Sequence, residues 1–188
     1  MFAAPQGGGA RMIFCLFVAA CAALPGISML VEWAVSTRLS ERHHSSHDTY
    51  VIPFALTSAL SLSMMFMGTL GLVLCWLCHV GVFKADPTIM LGFFSSFVLV
   101  MFVMWSALRH YRVATFDDHL EVTPFVGGKR IVRYDDIDCM RWSRPLAISS
   151  RRNILIFSGG EVCGVLIGTF DLDQILLRIN RNDVFDNS

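Results

Sequence analysis

Cys75-Trp76-Leu77-Cys78-His79 is the stretch of this sequence whose residue types could carry covalent chemistry. Two thiols three residues apart, with a histidine directly after them, are what a haem needs for two thioether bonds and an axial ligand. On a helix the three share one face, at i, i+3 and i+4. His43, His44 and His47 with Asp48 form a second polar cluster, in which His43 and His47 have the i, i+4 spacing of a helical metal pair. The neighbouring Ser45-Ser46 reads as loop, and the cluster is expected to be unmetallated. Met64, Met65, Met67, Met90, Met101 and Met104 are numerous enough for a thioether path, but filling irregular gaps is the commoner use of methionine. The sequence shows no Gly-rich phosphate loop after a strand, no nucleophile elbow and no paired intramembrane carboxylates. Neither an enzyme nor a cofactor is expected.

What must position these residues is mostly oil. Of 188 residues 54% are hydrophobic and 16% charged, and the mean hydropathy is +0.57. Between residues 51 and 108 the only charges are Lys84 and Asp86, beside Pro87. Residues 88–108 make about 31 Å of helix, close to the thickness of a bilayer's hydrocarbon. Residues 53–83 would reach about 46 Å, so that helix must tilt or extend beyond the lipid. A further apolar run, 12–35, is broken only by Glu32, and Pro25-Gly26 at its middle predicts a kink. Three spans and a transmembrane region of residues 1–108 follow, with residues 109–188 as a soluble domain.

Val18-Ala19-Ala20-Cys21 resembles a lipobox and offers a competing reading, a cleaved signal. The apolar run, however, continues well past Cys21, unlike a signal's short hydrophobic region. Arg38 and Arg42 after the first span, and Arg109 and Arg112 after the third, place those ends in the cytoplasm and the N-terminus outside. Removing the first span would strand a basic flank on the wrong face. Glu32, near its helix end, is expected to reach the interface. Ala55, Ala59, Ser63 and Gly71 recur at four-residue spacing, and Gly92 and Ser96 offer a matching pair, for packing as a hairpin or a homo-oligomer. The remaining Cys15, Cys21, Cys139 and Cys163 read as small buried thiols rather than a disulfide framework.

After the third span the period changes from helix to strand. His119, Glu121 and Thr123 alternate with Leu120, Val122 and Pro124. Strands are expected over 111–116, 119–125, 129–134, 138–143, 153–157 and 161–167, turning at Asp117-Asp118, Gly127-Gly128 and Gly159-Gly160. Asp171 with Gln174 reads as a capping box, and Leu172, Ile175, Leu176 and Ile179 as the apolar stripe of a closing helix. The fold class is therefore a membrane α-helical region followed by a small α+β domain, an antiparallel barrel or sandwich capped by a helix.

Short strands closed by one helix, with Arg130-Ile131-Val132-Arg133-Tyr134-Asp135-Asp136-Ile137 after the second hairpin, resemble the bacterial pleckstrin-homology-like (PH-like) domains attached to small membrane proteins. The resemblance spans roughly residues 109–182. It implies that a basic strand leads into Tyr134-Asp135-Asp136-Ile137, that Ile137 enters the core, and that the terminal helix plugs a curved sheet. The family usually has seven strands; six are readable here. It also implies a non-catalytic interaction module in the bacterial inner membrane, its domain cytoplasmic. Lys129, Arg130, Arg133, Arg141, Arg144, Arg151 and Arg152 against three aspartates give residues 129–152 a balance of +4. Beside an inner leaflet each such charge could gain about 1 kcal/mol from anionic lipid. Expected partners are the bilayer, a protein and, through Ala55, Ala59 and Ser63, a second copy. The overall charge is zero, which gives nucleic acid nothing to bind. The alternatives are a small transporter or channel subunit, and a membrane redox or haem protein using Cys75, Cys78 and His79.

Overall fold

The computed structural model describes residues 8–39, 48–125, 127–144, 151–170, 172–179 and 185–186. The chain divides into two compact units, residues 1–41 with 55–106 and residues 42–54 with 107–188.

The first unit holds three helices, α1 (Gly8–Leu39), α2 (Phe54–Val80) and α3 (Pro87–His110). Each contains a span long and apolar enough to cross a membrane: Arg11–Val35, Phe54–Val80 and Pro87–His110. The excess length of the second apolar run is resolved by a turn, because α2 stops at Val80 and Gly81 follows at φ 87°. Asp86 then caps α3, its Oδ1 accepting the backbone N–H of Thr88 at 2.7 Å, with Pro87 at the first helical position where no donor is needed. Pro25 lies inside α1 without ending it, and Ser28 Oγ donates to the Pro25 carbonyl at 2.8 Å.

Contacts fix the sense of the helices. A Cβ on Gly68 would overlap the Cys21 carbonyl, Gly71 lies against Phe94, Gly92 against Phe17, and Trp105 bonds Glu32. Hence α1 and α3 run the same way and α2 runs against both. The buried residues of α2 are Thr57, Ser61, Met64, Gly68, Gly71, Cys75 and Cys78, steps of four and three that make a 3.5-residue seam. The four-residue row read from sequence drifts around the helix instead: Ala55, Ala59 and Ser63 are exposed while Gly71 is buried. Gly92 faces α1 rather than α2, and Ser96 is exposed.

The second unit begins before the hairpin of α2 and α3. Strand β1 (Asp48–Val51) pairs antiparallel with β2 (Arg112–Thr115), Thr49 opposite Ala114. β3 (His119–Thr123) and β4 (Arg130–Arg133) complete a sheet of order β1-β2-β3-β4. β5 (Cys139–Ser143), β6 (Asn153–Ser158) and β7 (Glu161–Leu166) form the second sheet, with the two-residue β8 (Phe185–Asp186) parallel to β5. The six strands expected from sequence are thus divided between two sheets, and the first sheet gains a strand from the linker after α1. Gly159 and Gly160, both at positive φ, make the tight β6–β7 turn that side chains would strain.

Between the sheets pack Val113, Leu120, Val122 and Val132 from the first and Met140, Ile154, Ile156 and Leu166 from the second, all buried. Gly164 lets β7 approach Val122. Helix α4 (Leu172–Ile179) adds Leu172, Ile175 and Ile179 and lies against β2. Ile137 enters this core, 2% exposed, after the 3-10 turn Tyr134–Asp136, and Tyr134 Oη donates to the Phe116 carbonyl at 2.8 Å. Rings of Tyr50, Phe170, Tyr111 and Phe125 follow one another at 4.7 to 6.2 Å. Burial pushes the Tyr111 phenol well above its usual range, and its hydroxyl donates to the Val165 carbonyl. The capping box lies outside the described residues at Asp171.

Candidate functional site

The seven basic residues of the 129–152 run do not form one surface. Lys129 Nζ pairs with Glu121 Oε1 at 2.5 Å, and Glu121 also stands 3.7 Å from His119 Nε2, so that lysine is neutralised on its own sheet. Arg130 and Arg133 sit at the two ends of β4, both exposed. Arg141 is exposed in the middle of β5, between β6 and β8. Arg144 follows β5, and its carbonyl accepts the Nδ2 of buried Asn153 at 2.8 Å. Arg151 and Arg152 precede β6, their backbone packed so closely on Gly168 that no Cβ would fit there.

β4 is an edge strand, and so is β7. The Arg130 Nη1 donates to the Val162 carbonyl of β7 at 3.2 Å. A groove of about 330 Å³ is lined by Arg130, Ile131, Val132, Arg133, Asp136, Ser158 and Cys163. Cys163 Sγ donates to the Ser158 carbonyl at 3.6 Å on its wall. Of the seven residues expected to bind, Arg130 and Arg133 are the two that line this groove. The sequence did not point to Ser158 and Cys163, because nothing in a strand's own pattern tells which edges will face each other. Ile131 shares the outward face of β4 with Arg133 and is 62% exposed, an apolar side chain where alternation with buried Val132 calls for a polar one.

Asp118, at the foot of β3, accepts from His119 Nδ1 at 2.5 Å. That hydrogen bond, helped by the charges of His119 and Arg133, holds the Asp118 carboxyl below the usual carboxylate range. His119 stacks flat on Phe116 at 4.5 Å.

In the helical unit the C-x-x-C-H string is divided. Cys75 and Cys78 are buried, Cys75 in a cluster with Cys21, Leu91 and Phe94, while His79 is exposed. Met64 is buried whereas Met65 and Met104 are exposed, so these methionines do not line a common path. His43, His44 and His47 lie outside the described residues. Among the described residues no three of His, Cys, Asp and Glu stand together as metal ligands would.

Glu32, which lies near its helix end, faces the bundle. It is 4% exposed and its Oε1 accepts the indole N–H of Trp105 at 2.8 Å, tying α1 to α3. Facing the bundle is how an ionisable group is tolerated in such helices. The level can be read from the contacts: residues 21 and 25 lie opposite 68, so α1 running against α2 brings Glu32 level with the segment of Thr57 and Ser61, both buried. Comparison with known proteins finds no matching family model, no matching curated protein and no matching solved structure.

Proposed function

We propose that this chain is a three-span protein of the bacterial inner membrane that displays a cytoplasmic, PH-like, non-catalytic head for binding proteins or an anionic lipid surface. One observation carries the reading: β1, in the linker between α1 and α2, belongs to the same sheet that resumes after α3. The hairpin of α2 and α3 is then an insertion into the head, and its two ends belong on one side of a membrane. The Arg38/Arg42 and Arg109/Arg112 flanks favour the cytoplasm for that side. With β1 added, sheets of four and three strands plus α4 support the likeness to the PH-like family, β8 being a short addition. The groove with Arg130 and Arg133, and the basic residues on β5 and before β6, supply its contact surfaces.

The test is orientation. A membrane-impermeant maleimide should leave Cys139 and Cys163 unlabelled in intact cells, including after partial denaturation, and label them once the inner membrane is opened. Labelling from outside in sealed cells would overturn the reading.

A second reading, a transporter or channel subunit, is favoured by the buried Ser28, Glu32, Thr57, Ser61 and Ser95 of the helical unit. Ion flux through proteoliposomes of the full chain, abolished by Glu32→Gln, would favour it over the first.

A further inference from the structure

The open side of β4 has a set of backbone groups that no other described residue uses, and they can be identified. In β4's pairing with β3, Tyr134 N–H donates to the Asp118 carbonyl, and His119 lies opposite Arg133, Leu120 opposite Val132 and Glu121 opposite Ile131. Antiparallel ladders alternate, so residues 132 and 130 exchange their hydrogen bonds with β3 as residue 134 does, while the N–H and C=O of Ile131 and Arg133 point away from it. These are a template for one more strand. Ile131, Arg133 and Arg130 are exposed along it, Val162 of β7 is 40% exposed near it, and Asp136 is the one acid of the groove. Beyond the longer-range pull of its charge on Asp118, Arg133 has no hydrogen bond or close ion pair among the described residues, and Arg130 uses one N–H on Val162.

Resting on the reading of the head as an interaction module, we infer that the β4 edge takes an extended acidic segment of a partner protein, which pairs with Ile131 and Arg133 as a further strand. The choice of occupant follows from charge: the strand carries two arginines and no acid, so an incoming strand with carboxylates gains cross-strand pairs while a basic one meets like charges. Ile131 and Arg133 share a face of the strand, which sets the pattern sought in the partner as an apolar residue and an acid two positions apart. Arginine on an edge also repels other sheets, so a neutral apolar peptide should bind less well than the acidic one.

The probe is a fluorescein-labelled, end-blocked peptide of alternating valine and glutamate, titrated against the full-length protein in phosphatidylcholine nanodiscs and followed by anisotropy. Saturable binding is expected that weakens with salt and falls about tenfold or more for Arg133→Glu. It should fall as much when alternate peptide nitrogens of the probe are methylated, which removes donors and leaves charge unchanged. Ile131→Pro should do the same, since it deletes an outward N–H that β3 does not use. Should Ile131→Pro fail to fold, the methylated probe still decides. Equal binding of the methylated and unmethylated probes overturns the inference. So does an unaffected Ile131→Pro, or binding to phosphatidylglycerol vesicles with none to the peptide. A cytoplasmic head that ignores the peptide sinks this inference alone, whereas a head labelled from outside sinks the reading beneath it.

Discussion

The two units are built inside out with respect to each other. In the helical unit Trp33, Phe66, Ile89 and Val100 are each more than 60% exposed, while Ser28, Thr57, Ser61, Gly68, Gly71 and Ser95 are buried. In the head the buried side chains are Leu120, Ile154, Ile156, Leu166 and Ile175, and the charges lie outside. Water drives the second arrangement, because each large apolar side chain removed from it stabilises by about 1.5 to 3 kcal/mol. Lipid cannot drive the first that way, since a leucine gains nothing by leaving one hydrocarbon for another. Helices in lipid associate by close approach and polar contact, for which small residues are suited.

That contrast can be broken most severely at Gly68. Leucine there must displace the Cys21 backbone, and the helical unit should lose more than about 3 kcal/mol in detergent unfolding followed by tryptophan fluorescence. Leu62→Ala, on the exposed side of α2, should change it by less than about 0.5 kcal/mol. Equal effects would mean that the outward face also packs. In the head the sizes reverse: Ile156→Ala should cost about 3 kcal/mol through the cavity it leaves, measured on the head's own unfolding transition.

Single hydrogen bonds sharpen the comparison at a lower level. Asn153 bonds both the Arg144 carbonyl and the Gly168 N–H, so Asn153→Ala orphans two groups and should cost the head about 2 kcal/mol. Trp105→Phe removes one donor from Glu32 and should cost the helical unit about 1 kcal/mol, in line with the modest worth of such bonds in membranes. A larger loss for Trp105 would put more weight on that carboxylate than close packing leaves room for. The smallest effect belongs to Asp118, which is fully exposed. Its carboxyl titrates lower in the folded chain than unfolded, so what it contributes is present above the usual carboxylate range, near about pH 4, and is lost as pH falls through its lowered value. Asp118→Asn should therefore lower the melting temperature slightly near neutral pH, and the difference from the wild type should vanish as the pH falls below the carboxylate range.

Much of the architecture was legible because it depends on local pattern. All six strands read from alternation are present as β2 to β7, and the glycine pairs mark their turns. Asp86-Pro87 announced the start of α3. The strand that escaped, Asp48-Thr49-Tyr50-Val51, is too short and polar to carry a period, and its partner lies beyond two helices. The row of small residues every four positions is not the seam by which α2 packs within the chain, since that packing follows steps of four and three, and Ala55, Ala59 and Ser63 stay exposed. The candidate site was legible only as charge. A basic run in sequence says nothing of which strands will lie side by side, and here that pairing separated Lys129 from its neighbours and left Arg130 and Arg133 together.

The position of β1 also sets an order of events during synthesis. Tyr50 leaves the ribosome long before Val113, opposite which it comes to lie, and nearly all of the chain between them belongs to α2, α3 or the turn that joins them. Strand β1 cannot pair with β2 until that hairpin has been made and its ends brought together, so the first sheet is completed late. A chain whose second and third helices do not come together would be left with β2 as a bare sheet edge, a row of backbone groups that strands of other chains could join.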